Sequence, residues 1–186
     1  MKLNFARLFF LLTFVSSAHA ALLRLDANAS FMEWNIESAK IKSLAGKWPV
    51  QGTIRVNPDH PQDLQADLAI TNSISGIPEL RKSRKTPLFD SLSYPLITFI
   101  GKSVERIDGR NAKIQGEFSL HGVTRPVIFE VQVIKMEKNP QTHALRVAFI
   151  AKATIKRTDF GMKTVLPGVG DEIELAFNAL ASTSPN

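Results

Sequence analysis

The sequence predicts an all-β protein, an antiparallel sandwich or barrel of about eight or nine strands, with one short helix near 78–86. Three observations predict it. Apolar and polar residues alternate with period two along most of the chain, as strands with one buried and one wet face require. Short Asn-, Asp-, Gly- and Pro-rich segments separate the alternating runs, and such connections favour antiparallel neighbours. Helical periodicity is plausible in one place only, and many short, evenly spaced strands point to a sandwich or a barrel.

The first twenty residues stand apart. Lys2 and Arg7 make a basic start, Leu8 to Val15 is an apolar run too short to span a bilayer, and Ala18-His19-Ala20 has the small-x-small form of a cleavage site. Residues 1–20 are thus expected to be a secretory signal cleaved after Ala20, leaving one domain over 21–186. A buried N-terminal helix or a retained anchor is the alternative.

Strands are expected around Leu22 to Asp26 and Phe31 to Glu37. Val50, Gly52, Ile54 and Val56 then alternate with Gln51, Thr53 and Arg55, and Leu64, Ala66, Leu68 and Ile70 with Gln65 and Asp67. "NPDHPQD" (57–63) between them is turn chemistry. "IPELRKSRKTPLF" (77–89) has prolines placed for a first helical turn and for a stop. A strand follows around Tyr94 to Ile100. Ile114, Gly116, Phe118 and Leu120 oppose Lys113, Gln115, Glu117 and Ser119; after a His-Gly hinge, Val127, Phe129, Val131 and Val133 oppose Ile128, Glu130 and Gln132. Residues 145–155 place Leu145, Val147, Phe149, Ala151, Ala153 and Ile155 on one side. The last strand sets Ile173, Leu175, Phe177 and Ala179 against Glu172, Glu174 and Asn178.

Composition narrows the chemistry. The formal charge of +6 falls to +4 without Lys2 and Arg7, too small an excess to argue for nucleic acid. There is no cysteine, hence no disulfide, thiol nucleophile or lipid-acylated cysteine. His60, His121 and His143 are isolated in sequence, and none has the spacing of a metal pair, so neither metal nor cofactor is expected. His121 fits a turn residue better than a base: Gly122 supplies positive φ, and the imidazole could bond a loop carbonyl. "LPGVGDEIEL" (166–175) lacks the Lys-Ser/Thr of a phosphate loop and runs into a strand, so its glycines set a turn. The run Arg81, Lys82, Arg84 and Lys85 suits a solvated face, or a receptor for a phosphate or an anionic headgroup. Asn28-Ala29-Ser30 matches a glycosylation acceptor that matters only in a eukaryotic secretory path.

Aromatic residues lie on nearly every strand or at its mouth. A barrel of eight strands either fills with side chains or holds one small ligand. If it holds a ligand, the expected lining is Trp34, Ile54, Leu68, Phe99, Phe118, Leu120, Phe129, Val131, Phe149, Ala151, Phe160 and Phe177. Small inward residues at Gly116, Ala151, Ala153 and Ala179 favour a cavity.

Three long blocks, "LFDSLSYPLITFIGKSVE" (88–105), "GEFSLHGVTRPVIFEV" (116–131) and "KRTDFGMKTVLPGVGDEIEL" (156–175), resemble in order and spacing the signature blocks of the YceI-like family. "LDANASFMEWNI" (25–36) and "GTI" (52–54) resemble its N-terminal block. The resemblance implies an exported bacterial protein folded as an antiparallel, up-and-down barrel of about eight strands, lipocalin-like, and a family in which some members carry a polyisoprenoid. His121, Gly122 and Pro126 match the family pattern. The chain departs from it at Ala29 and Ser38, where the family often has histidines, and in "ELRKSRKTPLF" (79–89), where the family has an Arg-Asp-x-His-Leu element. If an anionic head is held, Arg81, Lys82, Arg84 and Lys85 are the local substitutes.

The leading expectation is a non-enzymatic periplasmic carrier or sequestering protein for an isoprenoid, quinone-like or other long-chain lipid. Transient contact with a membrane surface and a homodimer are left open. The alternatives are a lipid-modifying enzyme using His121 and Asp159, or a filled-core interaction module with a basic loop.

Overall fold

The computed structural model describes residues 21–38, 43–56, 65–71, 88–163 and 168–183, without the side chains of 43, 56 and 65–71. The expected leader at 1–20, the helix near 78–86 and the cluster Arg81, Lys82, Arg84 and Lys85 lie outside the described residues. Nine strands carry the fold: β1 (Ala21–Leu25), β2 (Phe31–Glu37), β3 (Ser43–Val56), β4 (Gln65–Thr71), β5 (Leu96–Arg106), β6 (Asn111–Leu120), β7 (Val123–Lys138), β8 (Leu145–Lys156) and β9 (Glu172–Thr183).

These nine strands make eight staves. β3 pairs with β2 through Ser43 to Pro49 and with β1 through Thr53 to Val56, while β9 pairs with β2 and then with β1. β1 and β2 are therefore two lengths of one stave, separated by a turn in which the Asp26 carboxylate accepts a hydrogen bond from Asn28 N at 2.9 Å. Ser30 bridges the break. Its buried hydroxyl donates to Leu180 O at 3.3 Å and accepts from Leu180 N at 3.2 Å, so the interruption leaves those backbone groups of β9 paired.

Each stave runs antiparallel to the one before it, β3 pairs with β4, and β9 returns to β1 and β2. The ladder is a closed ring. Closure removes the free strand edges that would otherwise template pairing with another chain.

Two details differ from the sequence expectation. β5 was expected at Tyr94 to Ile100; it begins at Leu96 and continues to Arg106 through a bulge between Gly101 and Ser103. The extra residue reverses the parity, so Phe99 and Gly101 are buried whereas the next partly buried apolar residue is Val104. A second bulge lies between Val133 and Lys135 on β7. The second difference is a single 3-10 turn, Arg157–Phe160, which no periodicity announces; Gly161 ends it at φ 73°, with its N–H donating to Thr158 O.

The inward face is apolar on every stave whose side chains are described. Across β8 and β9 the lateral pairs alternate large with small: Ala151 opposes Phe177, Phe149 opposes Ala179, and Ala153 opposes Leu175. Elsewhere glycines serve the same end. A Cβ on Gly46 would meet the Trp34 indole at 2.6 Å, and one on Gly116 would meet Phe99 Cζ at 2.5 Å. Of the small residues expected to leave room, Gly116 seats the Phe99 ring, while Ala151, Ala153 and Ala179 stand opposite larger residues in register. Pairing a large residue with a small one is the pattern by which a close-packed interior interdigitates.

Candidate functional site

Antiparallel alternation brings the ends of β2, β4, β6 and β8 and the starts of β3, β5, β7 and β9 to one mouth of the barrel. Two rings close on the lining there. Phe89, just before β5, packs edge-on against both Trp34 and Trp48, with ring centroids 4.8 Å away in each case. Phe160, from the 3-10 turn, packs edge-on against Phe118 at 5.9 Å, and Phe118 in turn meets Phe129 at 6.2 Å. Phe99 meets Phe129 at 5.0 Å, and Phe149 meets Phe177 at 5.6 Å. Edge-to-face contact matches the positive ring edge to the negative face of its neighbour.

Eleven of the twelve residues expected to line the barrel, all but Leu68, are buried. Leu68 stands on β4 opposite Phe99 in register; its side chain is among those not described. Sequence reasoning left Trp48 and Phe89 out of the lining, although both are fully buried at its mouth. Trp48 was recoverable, since it continues the parity of Val50 and Ile54. Phe89 precedes its strand and belongs to no alternating run, so period two could not find it.

Polar groups in this interior are few, and most are committed. The buried Arg157 donates from Nε to Gly170 O at 2.9 Å and from Nη1 to Met162 O at 2.7 Å, tying the 3-10 turn to the start of β9. The Ser30 hydroxyl is engaged with Leu180, as described, and the Ser38 backbone forms an isolated β-bridge with Val169. Trp34 is the exception. It is 4% exposed, and its Nε1–H has no hydrogen-bond partner among the described residues. Leaving such a donor unpaired away from water costs about 1–3 kcal/mol.

His121 occupies the two-residue β6–β7 turn between the paired residues Leu120 and Val123. Both turn residues are left-handed, His121 at φ 53° and Gly122 at φ 73°, which is the conformation of a type I′ hairpin. The expected imidazole bond to a loop carbonyl is replaced by a ring contact with Tyr94, centroids 4.4 Å apart. Asp159 is exposed on the 3-10 turn, its backbone carbonyl accepting from Arg125 Nε at 3.2 Å. Among the described residues no hydrogen bond joins His121 to Asp159, and no cluster of three or more His, Asp or Glu could hold a metal ion.

The outer face carries a cleft of about 1050 Å³. Register places Lys113, Glu130, Lys152, Ala176, Glu33 and Lys47 in one lateral row along it, from β6 to β3. Lys47 pairs with Glu33 at 2.9 Å and stands 4.3 Å from the Phe31 ring centroid. Charges of opposite sign alternate along this row and largely neutralise one another, so it makes no field of one sign.

A closed, eight-stave, up-and-down barrel with an apolar lining, closed on by rings at one mouth, defines a lipocalin-like architecture. The chain belongs to the YceI-like family, whose domain model matches residues 23–181. It is 30% identical over 181 residues to Protein YceI of Escherichia coli, covering 94% of this chain and 92% of that protein. Among solved structures it is similar to Burkholderia cenocepacia BcnA, with a TM-score of 0.66 at 16% identity, covering 86% of this chain and 99% of the other. It is also similar to a polyisoprenoid-binding domain from Saccharophagus degradans, with a TM-score of 0.61 at 16% identity, covering 89% and 100%.

Proposed function

We propose that this protein binds one long apolar lipid of the isoprenoid or quinone class inside its barrel and carries or sequesters it in the periplasm, without catalysing a reaction on it. The observation that carries this reading is the closed ring of staves with an apolar inner face. The family membership and the polyisoprenoid-binding neighbour support it. The residues proposed to touch the lipid are Trp34, Ile54, Leu68, Phe99, Phe118, Leu120, Phe129, Val131, Phe149, Ala151, Phe160 and Phe177. Because the inner rings already meet one another, a guest enters by turning rings aside and taking over their contacts. Burying about ten methylene equivalents at ~0.8 kcal/mol each yields a gross ~8 kcal/mol, so apolar contact alone reaches roughly micromolar affinity before ordering costs.

A filled-core module is the second reading, and the interdigitation of large and small residues across β8 and β9 favours it. Organic extraction of protein purified without detergent, followed by mass spectrometry, separates the two. Lipid near one molecule per chain supports carriage; no lipid, together with no uptake of added menaquinone or squalene, rejects it. N-terminal sequencing of the protein from the osmotic-shock fraction tests export, with Ala21 as the expected first residue.

A further inference from the structure

We propose that Trp34 Nε1–H is the donor that fixes the polar end of the barrel's guest, and that this end is a neutral oxygen acceptor, a ketone or quinone carbonyl. This rests on the reading of the barrel as a lipid container. Trp34 is buried on the inward face of β2, and its indole lies over Gly46 of β3, where a Cβ would stand 2.9 Å from Nε1. Glycine at 46 is what lets the indole adopt this position. Trp48 and Phe89 pack against the indole at centroid distances of 5.8 and 4.8 Å. The N–H is thus held in an apolar enclosure with nothing from the described residues to accept it.

Buried donors are almost always paired, and water or a ligand supplies what the protein does not. The surroundings select the class of acceptor. Arg157 is the one buried cation among the described residues, and its guanidinium is spent on the carbonyls of Gly170 and Met162. A phosphate at Trp34 would be desolvated without a counter-charge, which is heavily unfavourable, whereas a carbonyl needs just one donor. The position of Trp34, beside the ring of Phe89, also orients the guest. Its polar end sits toward the mouth and its apolar tail runs toward Phe149 and Phe177.

The test compares menaquinone, which carries carbonyl oxygens, with squalene, an isoprenoid hydrocarbon that has none, by partition from phosphatidylcholine vesicles. Trp34→Phe, which trims a ring contact common to both guests, should weaken menaquinone binding roughly five- to tenfold more than squalene binding. Equal losses for both, or none for either, overturn the assignment while leaving lipid carriage intact. If the unsubstituted protein takes up neither, the container reading and this inference fall together. Independently of that variant, the indole N–H resonances of protein labelled with 15N-tryptophan, assigned through Trp48→Phe, report on the bond itself. The Trp34 proton should move downfield with menaquinone and not with squalene. A proton already downfield without guest, as water would hold it, or unmoved by menaquinone, rejects the proposal.

Discussion

The Phe99 ring lies over Gly116 on the neighbouring strand, so closely that a Cβ there would stand 2.5 Å from Phe99 Cζ and 2.5 Å from the carbonyl oxygen of Ile100. The second contact matters more, because a backbone carbonyl in a paired strand has little freedom to retreat. Gly116→Ala should therefore destabilise the protein by about 1–3 kcal/mol through overpacking. Gly109, in the β5–β6 turn, has nothing within 4 Å of its would-be Cβ, and Gly109→Ala should stay within about 0.5 kcal/mol. Urea unfolding of the two variants side by side checks this; equal midpoints would show that Phe99 and its strand yield freely.

Phe89 contacts both tryptophans at the barrel mouth. Phe89→Ala should cost about 3–5 kcal/mol and speed exchange of bound lipid with vesicles. Phe89→Leu, which keeps most of the volume, should lie between parent and alanine variant in both respects. Transfer of menaquinone to acceptor vesicles measures the rate, and an unchanged rate in Phe89→Ala means that the guest uses another route.

The left-handed φ of His121 costs a non-glycine residue about 1–2 kcal/mol, and its contact with Tyr94 returns about 0.5–1.5 kcal/mol. These nearly cancel. His121→Gly should therefore change stability by less than about 1 kcal/mol, and bound lipid should be unchanged in amount and chemical form. The same lipid result is expected for Asp159→Asn. Mass spectrometry of the extracts decides: a precursor lipid accumulating on both variants would reinstate the His121 and Asp159 pair as an acid-base site.

Asp108 organises the β5–β6 turn. Its carboxylate accepts hydrogen bonds from the Asn111 side chain at 2.8 Å and from the backbone N–H groups of Arg110 and Asn111 at 2.7 and 2.8 Å, and these hold its pKa below the ordinary value of 3.8. A depressed folded pKa contributes stability above the unfolded value, and the contribution is lost as pH falls through the folded one. The stability gap between the parent and Asp108→Asn should thus be widest near neutrality and narrow below about pH 4. Urea midpoints at about pH 7 and about pH 3 measure it; a gap that stays constant assigns the effect to something other than ionisation.

Much of the fold was legible in the sequence because a strand's two faces are written as alternate residues. The runs ending at Leu120 and starting at Val127 needed no partner to be recognised, and the His-Gly pair between them marked a two-residue turn. Alternation failed at β5, where the bulge after Gly101 reverses parity, and at Phe89, which sits outside any strand. The YceI-like blocks were equally local, being contiguous stretches of chain.

Alternation thus determined the class of element and the burial of ten of the twelve expected lining residues, Phe160 lying on the 3-10 turn, and the short connections determined the antiparallel order of neighbours. It could not determine closure, which depends on β9 returning to β1 and β2 at a sequence distance that no local pattern spans. Nor could it tell a small residue that leaves room from one that seats a ring. Gly46 and Gly116 acquire their meaning from Trp34 and Phe99 on adjacent staves, and only the tertiary structure brings those side chains together and leaves one indole N–H unpaired among them.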